Sequence, residues 1–331
     1  MHLNNSIYKI VSIFCFSLLL NSANASIAYT IDGYNDLTGV QTLYSINTAT
    51  GSVTAIGNTG YRISDIAWDR TKGKLYGAVK SRRFGDGYDG LVTINTSTGA
   101  VTEIGSWKDS SGNLSNHLVT QIDIDSTGKM YGSNKGGKLI EINSSTSVVS
   151  SAYHTVTATD GTTANVGLGR WGLSFDNSDM LWRNIGQTNQ YVTSDIASNI
   201  TTAISAIPNS NGFGYTFSGG VDLEKIILEL EFNGLPFQFE VEGRHGSFDL
   251  STGLFWVLNG ETIFKYDMAT GSIVDFLALT NVSVVENPFS VNQGIRGLAF
   301  APVPVPATIW LFGSAIFGLA RYSRNRSQIL A

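Results

Sequence analysis

Three segments of the chain align without gaps at a spacing of 48 residues. Leu43-Tyr-Ser-Ile-Asn-Thr-Ala-Thr-Gly-Ser-Val-Thr-Ala-Ile56 matches Leu91-Val-Thr-Ile-Asn-Thr-Ser-Thr-Gly-Ala-Val-Thr-Glu-Ile104, and Leu139-Ile-Glu-Ile-Asn-Ser-Ser-Thr-Ser-Val-Val149 follows. Weaker copies stand at Tyr191-Val-Thr-Ser-Asp195 and at Ile263-Phe-Lys-Tyr-Asp267-Met-Ala-Thr-Gly271. Each copy reads as two strands around a tight turn. Alternating apolar residues make the first strand, Asn or Asp with Thr-Gly makes the turn, and Val-Thr-x-Ile makes the second. Glycine supplies the positive φ of such a turn, and Asn or Asp can bond its own backbone there.

A second shared unit lies between these hairpins. Asp65-Ile-Ala-Trp-Asp69 leads to Leu75-Tyr-Gly77, and Gln121-Ile-Asp-Ile-Asp125 leads to Met130-Tyr-Gly132. Gly172-Leu-Ser-Phe-Asp176 leads to Met180-Leu-Trp182, and Ser247-Phe-Asp249 leads to Leu254-Phe-Trp256. One repeat is therefore four strands, the period and strand count of a β-propeller blade. A two-sheet sandwich accounts for the strands but not for the period. The fold class expected is all-β, a β-propeller over residues 26–301.

The ends of this body complement each other. Gly297-Leu-Ala-Phe300 resembles a first blade strand with nothing after it, and Ile27-Ala-Tyr-Thr-Ile31 a second strand with nothing before it. Together they complete one blade and close the ring, which removes exposed sheet edges. Ile226–Phe232, Asn233-Gly234 and Pro236–Val241 form a hairpin signal that departs from the repeat. It falls within Phe213 to Glu242, and read as a blade there it predicts a propeller of six blades, in a range of five to seven. Five, with the hairpin as an insertion, is the competing count.

Composition agrees with many short strands and limits the partners. Gly is high at 36 residues, and charged residues are 14% of the chain. The N-terminus predicts a signal peptide over residues 1–25. Lys9 precedes the apolar run Ile10 to Leu20, which is too short to span a bilayer, and Ala23-Asn24-Ala25 is a small-x-small cleavage pattern for signal peptidase. With both ends removed, 17 basic residues face 26 acidic ones, a net charge of −9. Such a body argues against nucleic acid as a partner. The single cysteine, Cys15, lies in the signal segment, so the mature chain has neither disulfide nor thiol chemistry.

The C-terminus, residues 302–331, is the most specific short motif. Val303-Pro304-Val305-Pro306 precedes an apolar run to Ala320, and Arg321, Arg324 and Arg326 follow. The uncharged stretch could cross roughly 27 Å as a helix, with the transmembrane part at about 307–320 and the arginines on the cytoplasmic side. With Trp310-Leu311-Phe312-Gly313-Ser314-Ala315 and Gly318-Leu319, this tail resembles the PEP-CTERM sorting signal of Gram-negative bacteria. Val305 stands where the family name places Glu, and the arginines are spaced rather than clustered. The resemblance implies recognition by an exosortase, a membrane cysteine protease, followed by removal of the tail. The protein would be anchored in the inner membrane before processing and reach the cell surface or matrix after it. A plain C-terminal membrane anchor is the alternative.

Candidate chemistry in the body is sparse. No Gly-x-Ser-x-Gly elbow is present, and His117, His154 and His245 have no zinc spacing. Asp123 and Asp125, with Asp176 and Asp179, supply hard oxygen ligands for calcium, but they fall where the repeat needs a turn. The residues leading into the first strands would face a central channel. Arg62, Arg170, Trp171, Arg244 and Arg296 gather there in the alignment, beside Ser64 and Thr120. That set suits an anionic sugar or another carboxylate through forked hydrogen bonds and stacking. The expected function is a non-enzymatic surface or matrix protein that binds exopolysaccharide or a protein partner. A propeller-fold lyase or lactonase acting on sugars is the alternative, since fold alone does not exclude one.

Overall fold

The computed structural model describes residues 27–32, 41–80, 88–114, 119–134, 139–150, 173–185, 190–195, 200–203, 226–232, 235–241, 246–259, 262–268, 272–280 and 296–301. The signal segment and the sorting segment, with Val303, Pro304, Val305, Pro306, Arg321, Arg324 and Arg326, lie outside these. So do Ala23 and Ala25. No helix among the described residues is long and apolar enough to cross a membrane.

The described strands form antiparallel sheets in a propeller-like arrangement. The first sheet holds β1 (Ile27–Ile31), β2 (Thr42–Asn47) and β3 (Val53–Asn58). The second holds β4 (Ile63–Asp69), β5 (Lys74–Lys80), β6 (Asp89–Ile94) and β7 (Val101–Ser106). The third holds β8 (Val119–Ile124), β9 (Met130–Asn134) and β10 (Leu139–Ile142), extended by a bridge from Ile142 to Val149. The fourth holds β11 (Leu173–Phe175), β12 (Leu181–Ile185), β13 (Gln190–Asp195) and β14 (Ile200–Ala203). β15 (Ile226–Phe232) pairs with β16 (Leu235–Val241). The last four-strand run is β17 (Gly246–Asp249), β18 (Leu254–Asn259), β19 (Thr262–Asp267) and β20 (Ser272–Ala278). β21 (Arg296–Ala301) returns to β1, so the first sheet runs β21-β1-β2-β3.

This return is the closure that the two ends of the body predict. Ile27 pairs with Ala301 and Ala28 with Phe300, so strands about 270 residues apart in the chain share one ladder. The Thr30 hydroxyl donates to the Gly297 carbonyl at 3.0 Å. Gly297 has φ +77, and a Cβ there would stand 2.6 Å from the Ile66 nitrogen and 2.8 Å from Asp65 Oδ1. Only glycine lets β21 pass this close to β4.

The edge strand of each repeat sheet packs against those of two others. β21 lies against β4, β4 against β8, β8 against β11, β11 against β17, and β17 against β21. The circuit passes from β11 to β17 without β15 and β16, the hairpin from which a sixth blade is expected. That hairpin pairs with no other described strand.

The core sits between the sheets. Tyr29, Ile31 and Leu43 pack with Ile63, Ile66 and Val92, while Tyr76 and Leu91 pack with Ile122 and Met130. Aromatic pairs mark the other junctions. Tyr131 meets Phe175 at 5.4 Å, Trp182 meets Phe248 at 5.7 Å, and Trp256 meets Phe300 at 5.2 Å. Each sheet is too thin to bury its own faces, so its apolar residues are shared with both neighbours.

The turns of the repeat also lock sheets together. A Cβ on Gly57, at the end of β3, would strike the Thr98 carbonyl of the β6–β7 turn at 2.1 Å. Gly99 of that turn has φ +74, and its Cβ would stand 2.5 Å from the Gly57 oxygen. Two glycines therefore sit face to face where neighbouring sheets touch. Elsewhere the same junction is hydrogen-bonded. Thr280 donates to the Gly51 oxygen and accepts from the Val53 nitrogen, at 2.9 and 3.0 Å. Lys108 does the same with Ser147 and Val149, at 3.3 and 2.8 Å.

Candidate functional site

The edge strands of the circuit leave backbone N–H groups that no ladder can satisfy, and a buried N–H without a partner is costly. Side chains from the neighbouring strand fill this need. Asp65 on β4 accepts from the Ile122 nitrogen on β8 at 2.9 Å, and from its own neighbour Ile66 at 3.0 Å. Asp123 on β8 accepts from the Phe175 nitrogen on β11 at 2.7 Å. The Ser174 hydroxyl on β11 accepts from the Phe248 nitrogen on β17 at 3.1 Å and lies 3.4 Å from the Ser247 hydroxyl. These acceptors run strand to strand around the centre of the molecule.

Burial shifts the carboxyls in this ring. Asp65 is 6% exposed, and desolvation pushes it well above the usual carboxylate range, with Asp123 adding repulsion. Desolvation raises Asp123 to about 6, against the opposing pull of the Phe175 N–H and the Arg70 guanidinium. Asp32, at the end of β1, is also raised to about 6 by burial. It accepts from the Thr42 nitrogen at 2.7 Å, and its carbonyl accepts from Gln41 Nε2 at 3.0 Å.

Where the edge strands end, they line a small open depression. All five contribute to its wall. Trp68 comes from β4, Asp123 from β8, Ser174 and Phe175 from β11, Ser247 and Phe248 from β17, and Phe300 from β21. Arg70, just after β4, reaches the same space. Arg70 makes no hydrogen bond or ion pair with the described residues, although it is near enough to stabilise the charge of Asp123. Trp68 is partly exposed and stacks on Tyr29 at 6.0 Å. The arrangement pairs one guanidinium and a few acceptors with apolar ring surface, the mixture that orients a small polar ligand.

Of the channel-facing arginines expected from the alignment, Arg62 and Arg296 belong to the other ends of these strands. Arg62 precedes β4, is partly buried, and its carbonyl accepts from the Lys80 nitrogen at 2.9 Å. Arg296 begins β21, its backbone paired with Ile31. Arg170, Trp171 and Arg244 lie outside the described residues, as do His117, His154 and His245. The two hydroxyls in that set serve their own sheets. Ser64 donates to the Ala78 carbonyl at 3.0 Å and Thr120 to the Ser133 carbonyl at 3.3 Å.

The Asp-rich turns are engaged locally. Asp125 Oδ1 accepts from the Thr127 nitrogen at 2.9 Å, from its hydroxyl at 2.7 Å, and from the Lys129 nitrogen at 2.9 Å. Asp69 and Asp249 repeat the pattern with Thr71 and Ser251. Asp176 accepts from Ser178 and Met180, and its second oxygen accepts from Trp182 Nε1 at 2.8 Å. Asp179 accepts from Ser126 across a sheet boundary. No cluster of metal-ligating side chains occurs among the described residues. Arg70 is not among the site residues expected from the sequence. The signal that marks it is its place directly after Asp69, the Asp that ends the first strand of its repeat.

No protein-family model and no curated protein matches the chain. Among solved structures, it is similar to a protein of unknown function from Bacteroides thetaiotaomicron VPI-5482. The two share 17% identity with a TM-score of 0.44, over 69% of this chain and 52% of that one. The chain thus spans about half the length of that protein. It is similar to a chain of a nidogen/laminin complex at 10% identity and a TM-score of 0.47, over 83% and 98% of the two chains. TolB from Acinetobacter baumannii shares 14% identity with a TM-score of 0.46, over 84% and 67%. Likenesses this distant carry no information about function.

Proposed function

We propose that this chain is a five-bladed, non-enzymatic binding propeller, exported and delivered to the cell surface or extracellular matrix, where it holds exopolysaccharide. The observation that carries the reading is the circuit of five edge strands, whose ends together wall a small depression. A ring of rigid sheets converging on one small polar and apolar seat is a scaffold for recognition. The count of five follows the packing circuit, with β15 and β16 as an insertion. The Ala23-Asn24-Ala25 site for signal peptidase, and the Val303-Pro304-Val305-Pro306 tail with its arginines for an exosortase, support the export route.

A propeller-fold lyase or lactonase acting on sugars is the competing reading. Asp123 favours it, because a carboxyl raised to about 6 in a depression has the acidity of a general acid or base. Against it, Asp123 is the one carboxyl among the described residues that line the depression, so no acid and base pair converges there. Mass spectrometry of the mature C-terminus, with and without the exosortase, tests the route. Loss of residues after the Pro304–Pro306 segment only when the enzyme is present supports it, and an intact tail in both strains refutes it. Turnover of a purified matrix polysaccharide that Asp123→Asn abolishes would establish the enzyme instead.

A further inference from the structure

The depression differs from the expected arginine cluster in place and in make-up. It lies at the far ends of the edge strands, and its cation is Arg70. Three features define what it can take. The first is a guanidinium with no hydrogen-bond partner among the described residues, on the rim of a concave site. Such a fork matches a carboxylate bidentately. The second is a set of small oxygen groups, Ser247, Ser174 and Asp123, which suit hydroxyls that donate and accept. The third is the partly exposed Trp68 and the buried Phe248 and Phe300, which give a firm apolar wall. The enclosed space is small, so it admits one end group of a ligand rather than a whole chain.

We propose that this depression seats the carboxylate end of a small hydroxylated acid, with Arg70 on the carboxylate, Ser247 and Asp123 on the adjoining hydroxyls, and Trp68 against the carbon face. The inference rests on the binding reading above and names its ligand class. An acidic sugar at a polysaccharide end and a free sugar acid share this chemistry. Asp123 gives the site a pH signature. Among the described residues, the charged groups acting on it are Asp65 from β4 and Arg70 from the β4–β5 turn. Its charge repels an anion when ionised and fades as the pH falls through about 6.

The test is calorimetric titration of the full chain in detergent with D-galacturonate, tri-galacturonate and D-galactose, at about pH 5 and about pH 7.5. Both acids should bind on the order of tenfold more tightly than galactose, and Arg70→Gln should remove that advantage without lowering the melting temperature. Asp123→Asn should raise the affinity for acids at the higher pH and erase the difference between the two. Tighter binding of the trimer assigns a polymer end, and equal binding of monomer and trimer assigns the free acid. Galactose binding as tightly as galacturonate, or Arg70→Gln binding acids as the wild type does, overturns the inference and leaves the binding propeller standing. Failure of every saccharide, including the intact matrix polysaccharide, removes both.

Discussion

Ser147 occupies the turn position that Gly51 and Gly99 hold in the two preceding repeats. Its φ is +60, its exposure is 0%, and its hydroxyl has no partner among the described residues. A left-handed backbone and a buried unsatisfied hydroxyl each cost free energy in a non-glycine residue. Ser147→Gly should therefore stabilise the protein by about 1–2 kcal/mol, read as a higher thermal midpoint. Gln41 shows the opposite case. It is fully buried, and its amide bridges the loop before β2 to the start of β4, donating to the Ile63 carbonyl at 3.2 Å and accepting from the Ile63 nitrogen at 2.5 Å. Gln41→Ala strands that N–H and should cost about 1–3 kcal/mol in denaturant unfolding. The repeat made the anomaly of Ser147 legible in the sequence. Gln41 lies outside the repeated motif, and only the approach of β4 shows what it does.

At the scale of elements, the hairpins and first strands follow the repeat closely, because alternation and turn chemistry are local. The Thr-Gly turn carries more than local information. Gly57 and Gly99 are glycines because two sheets meet there, so part of the motif encodes a contact about one repeat away. The β15–β16 hairpin is where local reading and packing part. Its strand signal is strong and its pairing is as expected, but the circuit of edge strands closes past it. Replacing residues 226–241 with a short Gly-Ser linker should leave a cooperative thermal transition within a few degrees of the wild type, since lengthening or shortening a surface loop changes closure entropy little. Collapse of the transition would mean that the hairpin is a blade of the ring.

Across the whole molecule, carboxyls raised by burial set the response to pH. Asp123 and Asp32 are raised to about 6, and Asp65 lies well above its ordinary value. A carboxyl raised in the folded state binds its proton more tightly there than in the unfolded chain. Its stabilisation is full below about pH 4 and is lost as pH rises through the folded value. The thermal midpoint should therefore be higher near pH 5 than near pH 7.5, and Asp123→Asn should flatten that slope. A midpoint that climbs toward neutral pH would contradict the buried acid ring. The sequence by itself determined the repeat unit, its four strands, and the pairing of the first strand segment with the last, because those rest on periodicity and turn residues. It also carried the two terminal segments from which export is proposed, because each is read as a short linear pattern. The tertiary structure alone decided which edge strands meet, that Asp65, Asp123 and Ser174 satisfy the next strand's N–H groups, and that Arg70 and Trp68 share one depression. Those facts depend on the curvature of a closed ring, which brings together residues that no local pattern connects.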